Sequence, residues 1–174
     1  MNVHEAIRTR RSIRDYQARP VDPEMLVRLV EAGCWAPSAG NMQNWRFILV
    51  RDPSRLRKLR MVSPGMIGVA PAAIVVCEDV EATRKIAGDV EADRCTKMDA
   101  ALAAYAICLE AHELGLGTCM VGSFHTAAVQ KLLKLPKGTV PMLIVAVGYP
   151  SGDRKAPQRN LENIYSFEVY SEDG

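Results

Sequence analysis

Two runs of this 174-residue chain, AAIVVC at residues 72–77 and MLIVAV at residues 142–147, are apolar at every position. Such runs, bounded by turn signals such as the Gly148-Tyr149-Pro150 that closes the second, read as buried strands. They commit the chain to a sheet inside a covering of other elements. Residues 45–50, closed by Asp52-Pro53, and residues 118–121, followed by Gly122-Ser123, add two shorter strands. Residues 164–170 can pair as one more, which makes about four or five strands in all.

Helical signals surround them. Asn2 with Glu5 forms a capping box, and Val3, Ala6 and Ile7 give the helix behind it an apolar stripe. Asp22 and Pro23 are an N-cap and N1 pair; Leu26, Leu29 and Val30 mark the buried face of a helix that stops before Pro37. Residues 54–62 read as a basic helix and residues 127–133 as another. The longest helix is expected at residues 98–114. There Met98, Ala101, Leu102, Tyr105, Cys108, Leu109 and His112 recur at helical spacing, and Gly115 is a C′ cap. Its alanines, Ala101, Ala103, Ala104 and Ala106, allow another helix to approach closely. Residues 78–97 are charged and weakly patterned, which leaves a mobile lid, a surface helix and a dimer arm all open. These elements predict one α+β domain over residues 1–174.

Composition narrows the function. The net charge of +2 is too small to argue for nucleic acid. The five cysteines include no C-x-x-C pair, so neither a zinc knuckle nor a disulfide framework is expected, and a reducing cytoplasm is. No run approaches the ~18 apolar residues of a membrane span, and the N-terminus shows no apolar secretory segment. His4, His112 and His125 are not spaced as metal ligands, and no G-x-S-x-G elbow is present. His112 reads as a helix-surface or core residue rather than a catalytic base. The Gly115-Leu116-Gly117 run follows a helix and precedes a strand, the reverse of a dinucleotide fingerprint.

What remains are two polar segments. RRSIR carries Arg10, Arg11, Ser12 and Arg14 within five residues. Guanidiniums match phosphate oxygens bidentately, although a basic run is also what a solvated helix face looks like. APSAGNMQNW places Pro37, Ser38, Asn41 and Gln43 between a helix and a strand. Asn and Gln offer donor and acceptor together, though an ordinary polar loop has the same composition. Jointly the segments suit a ligand with one anionic end and one flat, hydrogen-bonding end, a shape that flavin mononucleotide (FMN) has.

RRSIR, APSAGNMQNW, the helix ending in LGLGTCMVGSF, the strand MLIVAVGYP and the late RKAP resemble, in order and separation, the nitroreductase-like flavoprotein family. The resemblance covers nearly the whole chain. It implies a nitroreductase-like fold, a central mostly antiparallel sheet flanked by helices, in a homodimer with FMN at the interface. By that likeness Arg10, Arg11 and Ser12 hold phosphate and ribityl groups, and Arg14 the pyrimidine O2 side. Pro37, Ser38 and Asn41 line the ring edge, Gly122 and Ser123 face N5, and Arg154 and Lys155 reach the phosphate. The implied activity is ping-pong hydride transfer from NAD(P)H to flavin N5 and on to a nitroaromatic or quinone. No side chain is assigned as catalytic, because the flavin carries the chemistry. The rival readings are another chemistry on the same fold (dehalogenation, flavin fragmentation or azoline oxidation) and a non-catalytic flavin-binding protein. Asn44 stands where the family often has proline, and Ser63-Pro64-Gly65-Met66 is the candidate for the middle-segment flavin contact.

Overall fold

The computed structural model describes residues 1–152, 159–160, 162 and 164–170. Four strands form one sheet: β1 (Trp45–Val50), β2 (Ala72–Asp79), β3 (Gly117–Val121) and β4 (Thr139–Gly148). Their order is β1-β2-β4-β3, and all three neighbouring pairs are antiparallel. The two all-apolar runs are therefore the two central strands, as their composition requires.

Five helices cover the sheet: α1 (Val3–Thr9), α2 (Pro23–Cys34), α3 (Pro53–Met61), α4 (Val80–Glu113) and α5 (Thr126–Leu133). Asn2, Asp22 and Asp52 cap α1, α2 and α3 through their side chains. On one face Leu26 and Leu29 of α2, with Ala100, Ala104 and Ile107 of α4, pack on Ile74, Val76 and Val145. On the other face Leu56 and Leu59 of α3, with Val129 of α5, pack on Val75, Cys77 and Ile144. No helix among the described residues is long and apolar enough to cross a membrane.

Three expectations change. Of the charged stretch 78–97, Glu78 and Asp79 finish β2, and residues 80–97 take the surface-helix option, continuous with the long helix and interrupted at Gly88 (φ 79°, ψ 170°). The long helix also turns a different face inward. Ala100, Ala103, Ala104, Ile107, Cys108 and Ala111 are buried, whereas Met98 and Leu102 are 55% and 43% exposed. The branched side chains of β2 and β4 already fill the layer between helix and sheet, so the small alanines fit there and the larger residues are left outside. Finally, residues 164–170 form no strand. Their large apolar side chains lie exposed, and β3's outer side is bridged instead by Ser12.

One irregularity shapes the surroundings of Gly122. The pairing of β2 with β4 shifts between Val76 and Cys77, where Cys77 faces Pro141 and Val76 faces Leu143. Pro141 has no N–H to give the ladder, and a bulge accommodates it.

Candidate functional site

α1 ends at Thr9 because Arg10 leaves helical geometry (φ −55°, ψ 137°) while its N–H still bonds the Ala6 carbonyl. The chain then runs along β3. Ser12 bridges Thr118 in parallel, and the Ile13 N–H donates to the Thr118 carbonyl at 2.8 Å. Further on, the Gln17 N–H donates to the Tyr149 carbonyl at 2.9 Å. Two glycines permit this approach. A Cβ on Gly117 would lie 2.7 Å from the Ile13 side chain, and one on Gly68 (φ 85°) would lie 1.8 Å from the Arg14 carbonyl oxygen.

The arginines are thereby fixed in place. Arg11 folds back, its Nη1 donating to the carbonyls of Arg8 (2.6 Å) and Arg10 (2.8 Å), at the helix end that favours a cation. The Arg10 guanidinium lies 5.9 Å over the Tyr105 ring. Both Nε atoms are buried without a hydrogen-bond partner. Arg10, Arg11, Thr9, His112 and Thr118 line a cavity of about 270 Å³ with no acidic residue among its described lining residues. His112 belongs to its wall. The Thr9 hydroxyl spends its proton on the Glu5 carbonyl (2.7 Å), so His112 Nε2, 2.8 Å from that hydroxyl, is the donor between them. Burial, then the charges of Arg10 and Arg11, lower the His112 pKa.

The segment after α2 is held differently. The Ala39 N–H donates to both carboxylate oxygens of Asp99 on α4, at 3.1 Å each, and the Gln43 N–H donates to Ser38 Oγ at 3.1 Å. Gly40, Asn41 and Gln43 all have positive φ, near 55°, 54° and 52°, which is uncommon for residues with side chains. Gln43 Nε2 donates to Asn41 Oδ1 at 2.9 Å. Pro37, Asn41, Gln43 and Trp35, the last 90% exposed, border a cavity of about 720 Å³.

Gly122 and Ser123 leave the end of β3 and are exposed. A Cβ on Gly122 would meet only Leu143, at 3.8 Å, so its backbone is open to a flat neighbour. Gly122 lines a cavity of about 620 Å³ with Phe124, Met142 and Leu143. The Ser123 carbonyl accepts from the Gly65 N–H at 3.2 Å, which brings the Ser63-to-Met66 candidate beneath it.

The three cavities share no lining residue. Asp99, which holds the Ala39 loop, and Tyr105, which carries Arg10, lie ~9 Å apart along α4 and about 120° apart around it. The Arg10 and Ala39 segments therefore meet different faces of α4. Arg14 is half-buried beside Gly68 and lines none of these three cavities. Arg154 and Lys155 lie outside the described residues.

Sequence reasoning missed two carboxylates under the Ala39 loop. Asp99 continues through Ala103, Ile107 and Ala111 as a buried stripe; an acid at the head of an apolar i, i+4 series was the available signal. Glu78 is 1% exposed, and its Oε1 has no partner. Burial, reinforced by the Asp99 charge and opposed by Arg46, pushes its pKa up to about 8. Among the described residues no group of three or more His, Cys, Asp or Glu is placed to hold a metal ion.

With fold and geometry in hand, comparison with known proteins is decisive about kinship. The model of the nitroreductase family matches residues 7–63 and 58–149; the chain belongs to this family. A relative from Methanothermobacter thermautotrophicus is 36% identical over 157 residues, 87% of this chain and 78% of its own. The FMN reductase (NAD(P)H) of Bacillus subtilis is 30% identical over 185 residues, 97% of this chain and 74% of its own. The solved FMN-dependent nitroreductase of Clostridium difficile R20291 superposes with a TM-score of 0.83 at 30% identity, covering 97% of this chain and all of its own.

Proposed function

We propose that the chain is an FMN-dependent oxidoreductase, working as a homodimer, that takes hydride from NAD(P)H and delivers it to an electron-poor acceptor such as a nitroaromatic or quinone. Family membership and the names of its relatives support the cofactor and the reductant. The observation that carries the reading is the cavity at Arg10 and Arg11, where two guanidiniums converge with orphaned Nε groups and no acidic residue stands among the described lining residues. That donor set fits a phosphate.

FMN held here would supply two-electron hydride chemistry, which no side chain of the chain provides. Arg10, Arg11 and Ser12 would hold the phosphate and ribityl end, with Arg154 and Lys155 reaching the same phosphate. Arg14 would set positive charge beside the pyrimidine O2, where electron density collects on reduction. Pro37, Ser38 and Asn41 would line the ring edge, and Gly122 and Ser123 would present backbone amides toward N5.

The dimer follows from separation. The Asn41 loop and the arginines meet different faces of α4 and line separate cavities, which supports a site completed by a second copy. Met98 and Leu102 of α4, Val3 and Ile7 of α1, and Trp35 are exposed apolar side chains around this region and supply a surface for that copy. Two cores on one sheet support residues 1–174 as a single domain, and five free cysteines support a cytoplasmic location. The test combines the near-ultraviolet and blue absorbance of the purified protein, chromatography of the released flavin, and NAD(P)H oxidation with menadione or nitrofurazone. Release of FAD, or a protein that takes up no flavin on reconstitution, overturns the reading.

A further inference from the structure

A fourth cavity, of about 460 Å³, lies away from the three described above and shares no lining residue with them. Its rim carries Arg19, Arg51, Arg57 and Arg60, and none of its described lining residues is acidic. None of these four arginines forms an ion pair with a described residue. The wall beneath them is apolar: Leu56, Met66 and Ala70 are buried.

Four cations around one hollow repel one another, the more strongly where they approach within the ~8 Å screening length of physiological salt. Two of them are nevertheless already placed. Arg19 Cζ sits 3.9 Å over the Tyr149 ring, which fixes its guanidinium without neutralising it. Arg60 Nη1 reaches the Gly68 carbonyl at 3.4 Å, a long contact that a better acceptor can displace. The volume lies in the range of small-molecule sites, ~300–1,000 Å³. The described lining contains no aromatic side chain on which a nucleobase could stack.

We propose that this cavity binds a small organic anion with an apolar body, of the aryl or alkyl sulfonate or carboxylate class. The anionic head is held by Arg57 and Arg60 with Arg19 and Arg51, and the body lies against Leu56, Met66 and Ala70. The site is independent of the flavin reading.

The test is calorimetric titration of the purified protein with naphthalene-2-sulfonate, with and without excess FMN. Saturation at one equivalent per chain, unchanged by FMN, is expected. The double variant Arg57→Gln/Arg60→Gln should bind about tenfold more weakly or worse, with an unaltered circular dichroism spectrum. Lys58→Gln, on the same helix but outside the lining, should bind as the parent does. Neutral 2-naphthylmethanol and inorganic sulfate should each bind at least about tenfold more weakly, one lacking the head and the other the body. The proposal is overturned by absent saturation, by competition with FMN, by equal loss in Lys58→Gln, or by sulfate binding as tightly as the probe. It is also overturned if a DNA duplex or an anionic vesicle displaces the probe and binds more tightly, which would make the arginines a polyanion surface.

Discussion

The Arg10–Tyr16 segment and the Ser38–Gln43 loop are the two places where the chain prepares polar groups, and they are secured by opposite means. The first is tied to β3 and to the residues just after β4 by backbone pairing and wedged against Gly117 and Gly68. The second has three positive-φ residues and depends on side chains, chiefly Asp99 and Ser38. Backbone pairing does not titrate and tolerates most side-chain changes. A loop held by a carboxylate inherits the protonation and desolvation of that carboxylate. The contrast teaches that the backbone of the arginine end is sterically fixed, whereas the amide end is electrostatically fixed and adjustable.

The strongest way to break the comparison is steric. Gly68→Ala forces a Cβ to 1.8 Å from the Arg14 carbonyl and places alanine at φ 85°. A loss of about 3 kcal/mol or more is expected from the combined clash and strain, measured by denaturant unfolding. Gly152→Ala, with no atom of a described residue within 4 Å, is the control. If Gly68→Ala is as stable as Gly152→Ala, the segment is not wedged and can move.

The second test is electrostatic. Glu78 is the neighbour whose proton Asp99 helps retain, with Arg46 pulling the other way and Asp79 adding to Asp99. Its folded pKa of about 8 stands above the ordinary 4.5, so the folded state binds the proton more tightly than the unfolded state does. Stability from this group is therefore full below the unfolded value and falls as pH rises through the window up to the folded one. The slope is bounded by ~1.4 kcal/mol per pH unit. Glu78→Gln should flatten that slope and gain about 1–3 kcal/mol at the alkaline end. A variant whose pH profile matches the parent's would mean that Glu78 is ionised and solvated.

How much of this was legible in sequence follows the same division. The apolar runs, the Asp22-Pro23 cap and Gly115 announced their elements, because local chemistry decides them. The rejected dinucleotide fingerprint also held, since Gly117 opens a strand antiparallel to its neighbour. The inward face of α4 did not show itself. Met98 and Leu102 form as good a stripe as Ala100, Ala104 and Ile107, and only the volume left by β2 and β4 chooses between them. Nor did the clamp on Ala39, because its partner Asp99 is distant in sequence, and distant pairing is invisible to periodicity. The tail at 164–170 has strand-like composition but meets no free sheet edge.

The loop itself gives the third test. Asp99→Ala leaves the Ala39 N–H without its partner, at a cost of about 1–2 kcal/mol; Asp99→Asn retains one acceptor and should lose less. Limited proteolysis between Trp35 and Asn44, with identification of the cut by mass spectrometry, reads the local loosening. Cleavage rates equal to the parent's in both variants would show that the left-handed residues hold the loop without Asp99.

The smallest effect separates the two arginines. Arg11 spends Nη1 on the carbonyls at the end of α1, while Arg10 has no such backbone bond and lies over Tyr105. Arg11→Ala should therefore cost about 0.5–1 kcal/mol of stability by uncapping α1. It should weaken FMN retention less than Arg10→Ala does, because part of its donor capacity already serves the fold. Arg11→Lys separates the roles further: an ammonium restores charge at the helix end but not the forked geometry. Stability should recover in that variant more fully than FMN affinity. Measuring both quantities for all three variants sharpens the division between holding the segment and holding its ligand. If Arg11→Ala releases FMN as readily as Arg10→Ala while leaving stability untouched, Arg11 turns to the ligand when FMN binds, and the arginine end is less rigid than its backbone pairing implies.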